Sequence, residues 1–254
     1  MINRLFIFLI LVVMAVIFLK LATNYSENTV LSKLGHYYAE QGPAELGAPN
    51  LVTAVVVTYR GLDTLGEVTV LFISAAGVGL LLRRTRRKDD DEDLEQGDRA
   101  EETAGVHKPA SEIVETATEL LLPMVILFGI YVFLNGHLSP GGGFQGGVIF
   151  GAAIILFAIS TDLRSTFKRL QEKTTMLCSA LGVLIYAGTG LLCFLFGGNF
   201  LDYGRLAGFL GVDPVMARSH GILIVEIGVG LAVMAVMVML YYNLSSAGRH
   251  DEGL

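Results

Sequence analysis

The feature that most constrains this chain is a series of six apolar runs, near residues 3–22, 63–82, 117–136, 145–162, 174–196 and 219–243. A hydrocarbon core of about 30 Å needs roughly 20 helical residues, and flanking Lys or Arg can snorkel to the interface. A soluble α/β domain would break its apolar residues into runs of about four to eight. With 53% hydrophobic residues, 17% charged and a mean hydropathy of +0.60, the chain is too apolar for an ordinary soluble domain. The expected fold class is an all-α membrane protein with about six transmembrane helices. The first run has an alternative reading as a signal peptide, with Arg4 ahead of an apolar stretch from Leu5 to Leu19. Lys20 follows at once and no A-x-A cleavage site appears, which favours a span.

Charge placement orients these helices. Arg83, Arg84, Arg86, Arg87 and Lys88 follow the second run, and Arg164, Lys168, Arg169 and Lys173 join the fourth to the fifth. Basic loops stay in the cytoplasm, so both termini are expected there too, leaving 23–62, 137–144 and 197–218 outside. From Arg83 to Lys108 the chain passes through DDDEDLEQGD with no apolar periodicity, the pattern of a linker. The expected organisation is a two-span unit (1–88), a charged cytoplasmic linker (89–109), a four-span unit (110–245) and a cytoplasmic tail (246–254). No internal repeat is visible, which argues against an inverted-repeat transporter.

The net charge of -6, with acids gathered between Asp89 and Glu102, gives no affinity for nucleic acid. Cys178 and Cys193 match neither CxxC nor a metal-ligand spacing and read as packing residues, so no metal, iron–sulfur cluster or other cofactor is expected.

Three places carry chemistry. Residues 48–67 read APNLVTAVVVTYRGLDTLGE, in which Asn50 to Tyr59 is too short to cross and should form an interfacial or re-entrant helix stopping near Gly61. Asp63 and Glu67 share a helix face, joined by Arg60 if the helix continues through Gly61, so acid and base can pair. Arg60 and Asp63 read equally well as headgroup anchors. Glu67 lies deeper, where a carboxylate costs roughly 2–3 kcal/mol and faces protein or water.

The second place is GHLSPGGGFQGG at 136–147, between the third and fourth spans. It lacks the GK[ST] ending and preceding strand of a nucleotide loop. Asn135 and Gly136 can end one helix, and Ser139 can cap the next with Pro140 in its first position, which makes a helical hairpin. Gly143, Gly147 and Gly151 recur every fourth residue as a stripe for close helix approach. His137 is a candidate proton acceptor near the outer mouth, or a solvated loop residue.

The third place is Glu226 in SHGILIVEIGVG, about two turns into the last span. An intramembrane acid is either an ion-handling group or a protonated carboxyl bonded to a neighbouring helix. His220, six residues earlier, points to a different face.

These strings also carry a resemblance. GHLSPGGGFQGGVIFGAA, from Gly136 through Ser139, Pro140, Gly141, Gly142, Gly143, Phe144, Gln145, Gly146, Gly147 and Gly151, resembles the MnhB/MrpB family over about residues 110–243. Members are small hydrophobic subunits of multi-subunit sodium/proton antiporters. TAVVVTYRGLDTLGEVTVLFISAAGV resembles the segment near the carboxyl end of the large MrpA protein, whose usual form is close to TAVLLDFRGFDTLGE. That piece also exists as the free-standing MbhE protein of membrane-bound hydrogenases. Tyr59 and Leu62 stand where Phe is usual, and Thr58 replaces an Asp.

The resemblance implies a fusion of an MbhE-like two-span unit to an MrpB-like four-span unit in a prokaryotic cell membrane. It implies ion-transport roles for Arg60 and Glu67. Expected partners are the lipid bilayer and other membrane subunits of an Mrp-type antiporter or a membrane-bound hydrogenase complex, with Na+ or H+ as transported ions. The chain itself is expected to be a non-catalytic transporter subunit. The competing classes are a pure assembly scaffold, a self-sufficient exporter and a membrane enzyme, the last disfavoured because no nucleophile–base pair or ligand cluster is visible.

Overall fold

The computed structural model describes residues 2–24, 30–96, 112–161 and 172–246. Its elements are α1 Ile2–Asn24, α2 Lys33–Leu46, α3 Leu51–Ala54 running into a π-helical turn Val55–Tyr59, α4 Gly61–Gln96, α5 Glu112–Leu134, α6 Gly143–Ser160 and α7 Glu172–Leu195. A 3₁₀ turn Tyr203–Leu206, α8 Ala207–Leu210 and α9 Pro214–Ser245 complete the order. Five segments, Gly61–Leu82, Ile113–Leu134, Gly143–Ser160, Lys173–Leu195 and Pro214–Ser245, are long and apolar enough to cross a membrane, and α1 adds the shorter apolar stretch Leu9–Asn24. The protein is an all-α membrane protein of about six spans.

Met1–Tyr37 and Tyr38–Leu254 form two compact units. In the first, α1 exposes apolar side chains all round, Leu11, Ile17, Phe18 and Leu19 among them, as a lipid-facing helix does. In the second, α9 is the central helix. Its span is 67% buried against 17% for α4 and α5, and it contacts α4, α5, α6 and α7.

Small residues make that burial possible. Lipid tails are as apolar as Leu, so helices in a bilayer gain by backbone approach at Gly and Ala. A Cβ at Gly182 of α7 would lie 2.5 Å from the Gly228 carbonyl, and one at Gly147 of α6 would lie 2.6 Å from the Gly230 carbonyl. Gly143 lies against the Glu226 backbone, and Gly151 against Met237.

Two differences from the sequence reading stand out. The expected linker begins at Arg83, whereas α4 stays helical to Gln96, and residues 97–111 lie outside the described residues. Arg, Lys, Glu and Leu are good helix formers, and charges of opposite sign along the run support a helix. Ser139 does not cap the fourth span: α6 starts at Gly143, with Gly142 at the N-cap, and the Ser139 hydroxyl donates back to the Asn135 carbonyl at 3.1 Å. Gly142 holds φ 150° and ψ -177°, a glycine conformation that lengthens the turn by three residues beyond Ser139. The basic loop 162–171 and the tail 247–254 lie outside the described residues.

Gly182→Ala should lower the thermal stability of the purified protein by about 1–3 kcal/mol, because the facing atoms are backbone. Gly188→Ala on the same helix, where a Cβ meets nothing within 4 Å, should be neutral or slightly stabilising. Equal effects in a paired melting experiment would remove the close-approach reading.

Candidate functional site

Asn50 starts the site. It follows Pro49 and precedes an apolar run, the pattern of an N-cap, and its side-chain oxygen accepts from the Val52 amide at 3.1 Å. The amide nitrogen of the same side chain reaches across to the hairpin. It donates to the carbonyls of Gly136 at 2.7 Å and Ser139 at 2.8 Å, and lies 3.5 Å from that of Gly141. The Asn50 backbone N–H also donates to the His137 carbonyl at 3.2 Å. The carbonyls freed where the chain turns between α5 and α6 thus find donors on α3.

Thr53, one turn further along, is buried, and its hydroxyl stands 3.0 Å from the Gly136 carbonyl and 3.5 Å from Glu226 Oε1. Glu226 is 2% exposed, and Oε2 has no hydrogen-bond partner. A Cβ at Gly136 would lie 2.9 Å from both carboxyl oxygens, and one at Gly142 2.8 Å from Oε1, so the glycine backbone closes over the acid. The carboxyl therefore sits at the N-terminal end of α6, where free amides gather and no side chain of α6 serves as cap. No salt bridge to Glu226 exists among the described residues.

A second helix break faces α7 and the 3₁₀ turn. The π-helical turn closes with the Arg60 amide on the Val55 carbonyl at 2.7 Å, and Arg60 at φ -120° and ψ 29° ends the helix one residue before Gly61. Three carbonyls around the break are satisfied by side chains. Thr64 donates to Val56 at 2.7 Å, Tyr203 to Val57 at 3.0 Å and Tyr186 to Gly61 at 2.7 Å. Thr58 Oγ1, at the position of the family Asp, is buried with no partner.

Arg60 Nε donates to Asp63 Oδ2 at 2.7 Å in an exposed ion pair that contributes little to stability. Glu67 is exposed on the same side of α4 as Asp63, among Leu62, Gly66 and Val70. The structure therefore does not gather the candidates into one site. Glu226 is enclosed by Gly136, Gly142 and Gly143, while Arg60, Asp63 and Glu67 face outward. In the hairpin, Gly141 packs on Val132 and Gly146 on Phe133, while Pro140, Phe144 and Gln145 are exposed.

His137 lies in the hairpin turn, outside the spans, with Nδ1 buried and without a partner. Burial first, and the nearby His220 second, hold its pKa below the ordinary value of 6.5.

Sequence reasoning missed Asn50 and Thr53, which stand inside the quoted string, and Tyr186 and Tyr203. The Pro–Asn start of the short helix marked Asn50 as a cap, but its second role depends on long-range packing.

Comparison with known proteins decides the relationship. Residues 113–239 match the family described as "Domain related to MnhB subunit of Na+/H+ antiporter", and residues 3–99 match MbhE, a family of MBH subunits. The chain belongs to the MnhB family, joined to an MbhE domain. It is 32% identical over 134 residues to the B-type subunit of the Na(+)/H(+) antiporter of Bacillus subtilis, covering 52% of this chain and 91% of that one. It is 29% identical over 222 residues to a probable K(+)/H(+) antiporter protein of combined A/B type from Rhizobium meliloti, covering 84% of this chain but only 22% of that longer protein.

Among solved structures, a chain of the membrane-bound sulfane sulfur reductase, an archaeal respiratory membrane complex, aligns with TM-score 0.63 and 31% identity over 94% of this chain and 99% of that one. A chain of the Mrp complex from Dietzia sp. aligns with TM-score 0.67 and 28% identity over 99% of this chain and 27% of that one. Asn50 and Thr53 fall in the MbhE domain, and the hairpin and Glu226 in the MnhB domain. The site is built across both.

His137 also makes the fold sensitive to acid. With its pKa lowered, the unfolded chain binds the proton more readily than the folded one just below pH 6.5, so its contribution is complete above that value and is lost as pH falls. His137→Gln should reduce the drop in melting temperature between neutral and mildly acidic buffer. An unchanged drop would assign the acid sensitivity elsewhere.

Proposed function

We propose that the chain is a non-catalytic membrane subunit of an Mrp-type cation/proton antiporter module, seated in a prokaryotic cell membrane with both termini in the cytoplasm. The observation that carries the proposal is Glu226, a buried carboxyl with one oxygen unpartnered, held where the MbhE and MnhB domains meet. A carboxyl without a counter-charge inside a span is costly unless it serves ion chemistry or bonds to a neighbour. The glycine backbone closes so tightly over it that a proton is the ion it takes without moving the hairpin. Glu226 is a proton-handling group in this reading, and His137 lines the outer approach.

The face of α4 supports a multi-subunit home. Asp63 and Glu67 stand exposed on an otherwise apolar transmembrane face, and for Glu67, the deeper of the two, an unpaired carboxylate against lipid would cost roughly 2–3 kcal/mol. Another membrane protein of the complex, presenting a basic or hydrogen-bonding group, covers them after assembly. Arg60 pairs with Asp63 at the edge of that face. The solved relatives come from an Mrp complex and from a respiratory membrane complex, so the same module fits a stand-alone Na+/H+ antiporter and a redox-driven complex.

Glu226→Gln, introduced into the complete complex, should leave its assembly intact and reduce cation-dependent proton flux in everted membrane vesicles by an order of magnitude or more. Glu67→Gln should also reduce flux. Intact flux in both variants, with weaker co-purification of the other subunits, would instead assign the scaffold role.

A further inference from the structure

Thr53 belongs to the MbhE domain, yet its hydroxyl stands between two acceptors in the MnhB domain. It is 3.0 Å from the Gly136 carbonyl and 3.5 Å from Glu226 Oε1. A hydroxyl has one proton to donate and so serves one acceptor fully at a time. The Gly136 carbonyl has a second donor in Asn50 Nδ2 at 2.7 Å, so it keeps a hydrogen bond when Thr53 turns away. Thr53 Oγ1 also lies 3.0 Å from Asn50 Nδ2, whose two protons point to the shorter contacts with the Gly136 and Ser139 carbonyls, so the hydroxyl oxygen packs beside that amide in either orientation.

We propose that Thr53 is a positioning residue for proton exchange at Glu226, turning its hydroxyl from the Gly136 carbonyl to Oε1 when the carboxyl loses its proton. The inference rests on Glu226 being the proton-handling group. When Glu226 is ionised, the Thr53 O–H is a side-chain donor within reach of Oε1, at 3.5 Å, and a hydrogen bond to a charged acceptor is about twice as strong as one to a neutral carbonyl. When a proton arrives, the carboxyl becomes neutral, the stronger acceptor is gone and the hydroxyl returns to Gly136. No bond other than that to the transferred proton forms or breaks, and the proton leaves to water or to an adjoining protein of the complex.

The occupancy of Glu226 is thereby coupled to the bonds that hold α3 against the hairpin. In the ionised state Gly136 is held by Asn50 alone; in the protonated state it is held by both Asn50 and Thr53. The titratable groups around the carboxyl are few. The hairpin brings His137, α9 itself carries Arg218 and His220 with Tyr241 and Tyr242 toward its far end, α7 carries Tyr186, which donates to the Gly61 carbonyl, and neither Leu51–Ala54 nor Gly143–Ser160 contains one. His220 is exposed, whereas Glu226 is buried on a different face of α9.

The test is the pH profile of cation-dependent proton flux by the complete complex in everted vesicles, with Thr53→Val, Thr53→Ser and Thr53→Cys compared with the unaltered protein. Thr53→Val keeps the shape but removes the donor to the ionised carboxyl, so the pH of half-maximal flux should rise by roughly half to one unit. Thr53→Ser should restore the original profile, and Thr53→Cys, a weak donor, should fall between. If the valine variant does not assemble, the cysteine variant carries the same expectation at smaller size. An unmoved profile in an assembled valine or cysteine variant overturns the proposal and leaves Thr53 a packing residue. Full flux by Glu226→Gln would instead overturn the reading of Glu226 itself, and the two failures are thus separable.

Discussion

Backbone carbonyls freed within a membrane protein must find donors, since hydrocarbon offers none, and this chain breaks its helices in two places. At the first, around Arg60, the carbonyls of Val56 and Val57 are taken by Thr64 and Tyr203, and Tyr186 adds a bond to that of Gly61 at the start of α4. At the second, between α5 and α6, those of Gly136 and Ser139 are taken by Asn50, with Thr53 adding a second donor to Gly136. Only Thr64 is local. The other donors come from elements distant in the chain, so neither break can be completed by its own module. Each hydrogen bond contributes only about 1 kcal/mol net, but an unmet buried carbonyl costs more, and that asymmetry locks the MbhE domain to the MnhB domain.

The close packing around α9 adds to this. Gly143, Gly147 and Gly230 let α6 and α9 lie close together, which sets Glu226 against the same hairpin whose carbonyls Asn50 takes. Glu226 is buried by that approach, at the amide end of α6 with Thr53 beside it. Its surroundings contain both a donor and a helix terminus, which suit a carboxylate, and an apolar enclosure without counter-charge, which suits an acid. In the proposed role, a group held between those two conditions would change its proton without a large rearrangement.

Much of this was legible in the amino-acid pattern. The apolar runs located the spans to within a few residues at most ends, and Gly61 marked the first break. The Gly-rich string announced the second break, but Ser139 and Pro140 imitate a cap so well that only the conformation of Gly142 reveals the later start of α6. The charged run after Arg83 has no apolar face, yet its residues favour helix, so α4 extends to Gln96. Exposure was the least legible property. Glu67 reads as an acid facing protein or water from its depth along the helix, but the pattern alone does not say that it faces outward from this chain, because which side of α4 meets α9 depends on packing partners far away in sequence. The double role of Asn50 was hidden for the same reason.

If side-chain capping holds the two domains together, they need no covalent connection to pair. The Bacillus relative, which matches about half of this chain, shows that an MnhB unit occurs as a separate polypeptide. Expressing residues 1–96 and 112–254 as two chains in the same cells, with an affinity tag on one, tests the claim directly. Co-purification of both halves in mild detergent, lost when Asn50→Ala and Thr53→Val are combined, is the predicted result. Separation of the unaltered halves, or undiminished pairing in the double variant, would contradict it.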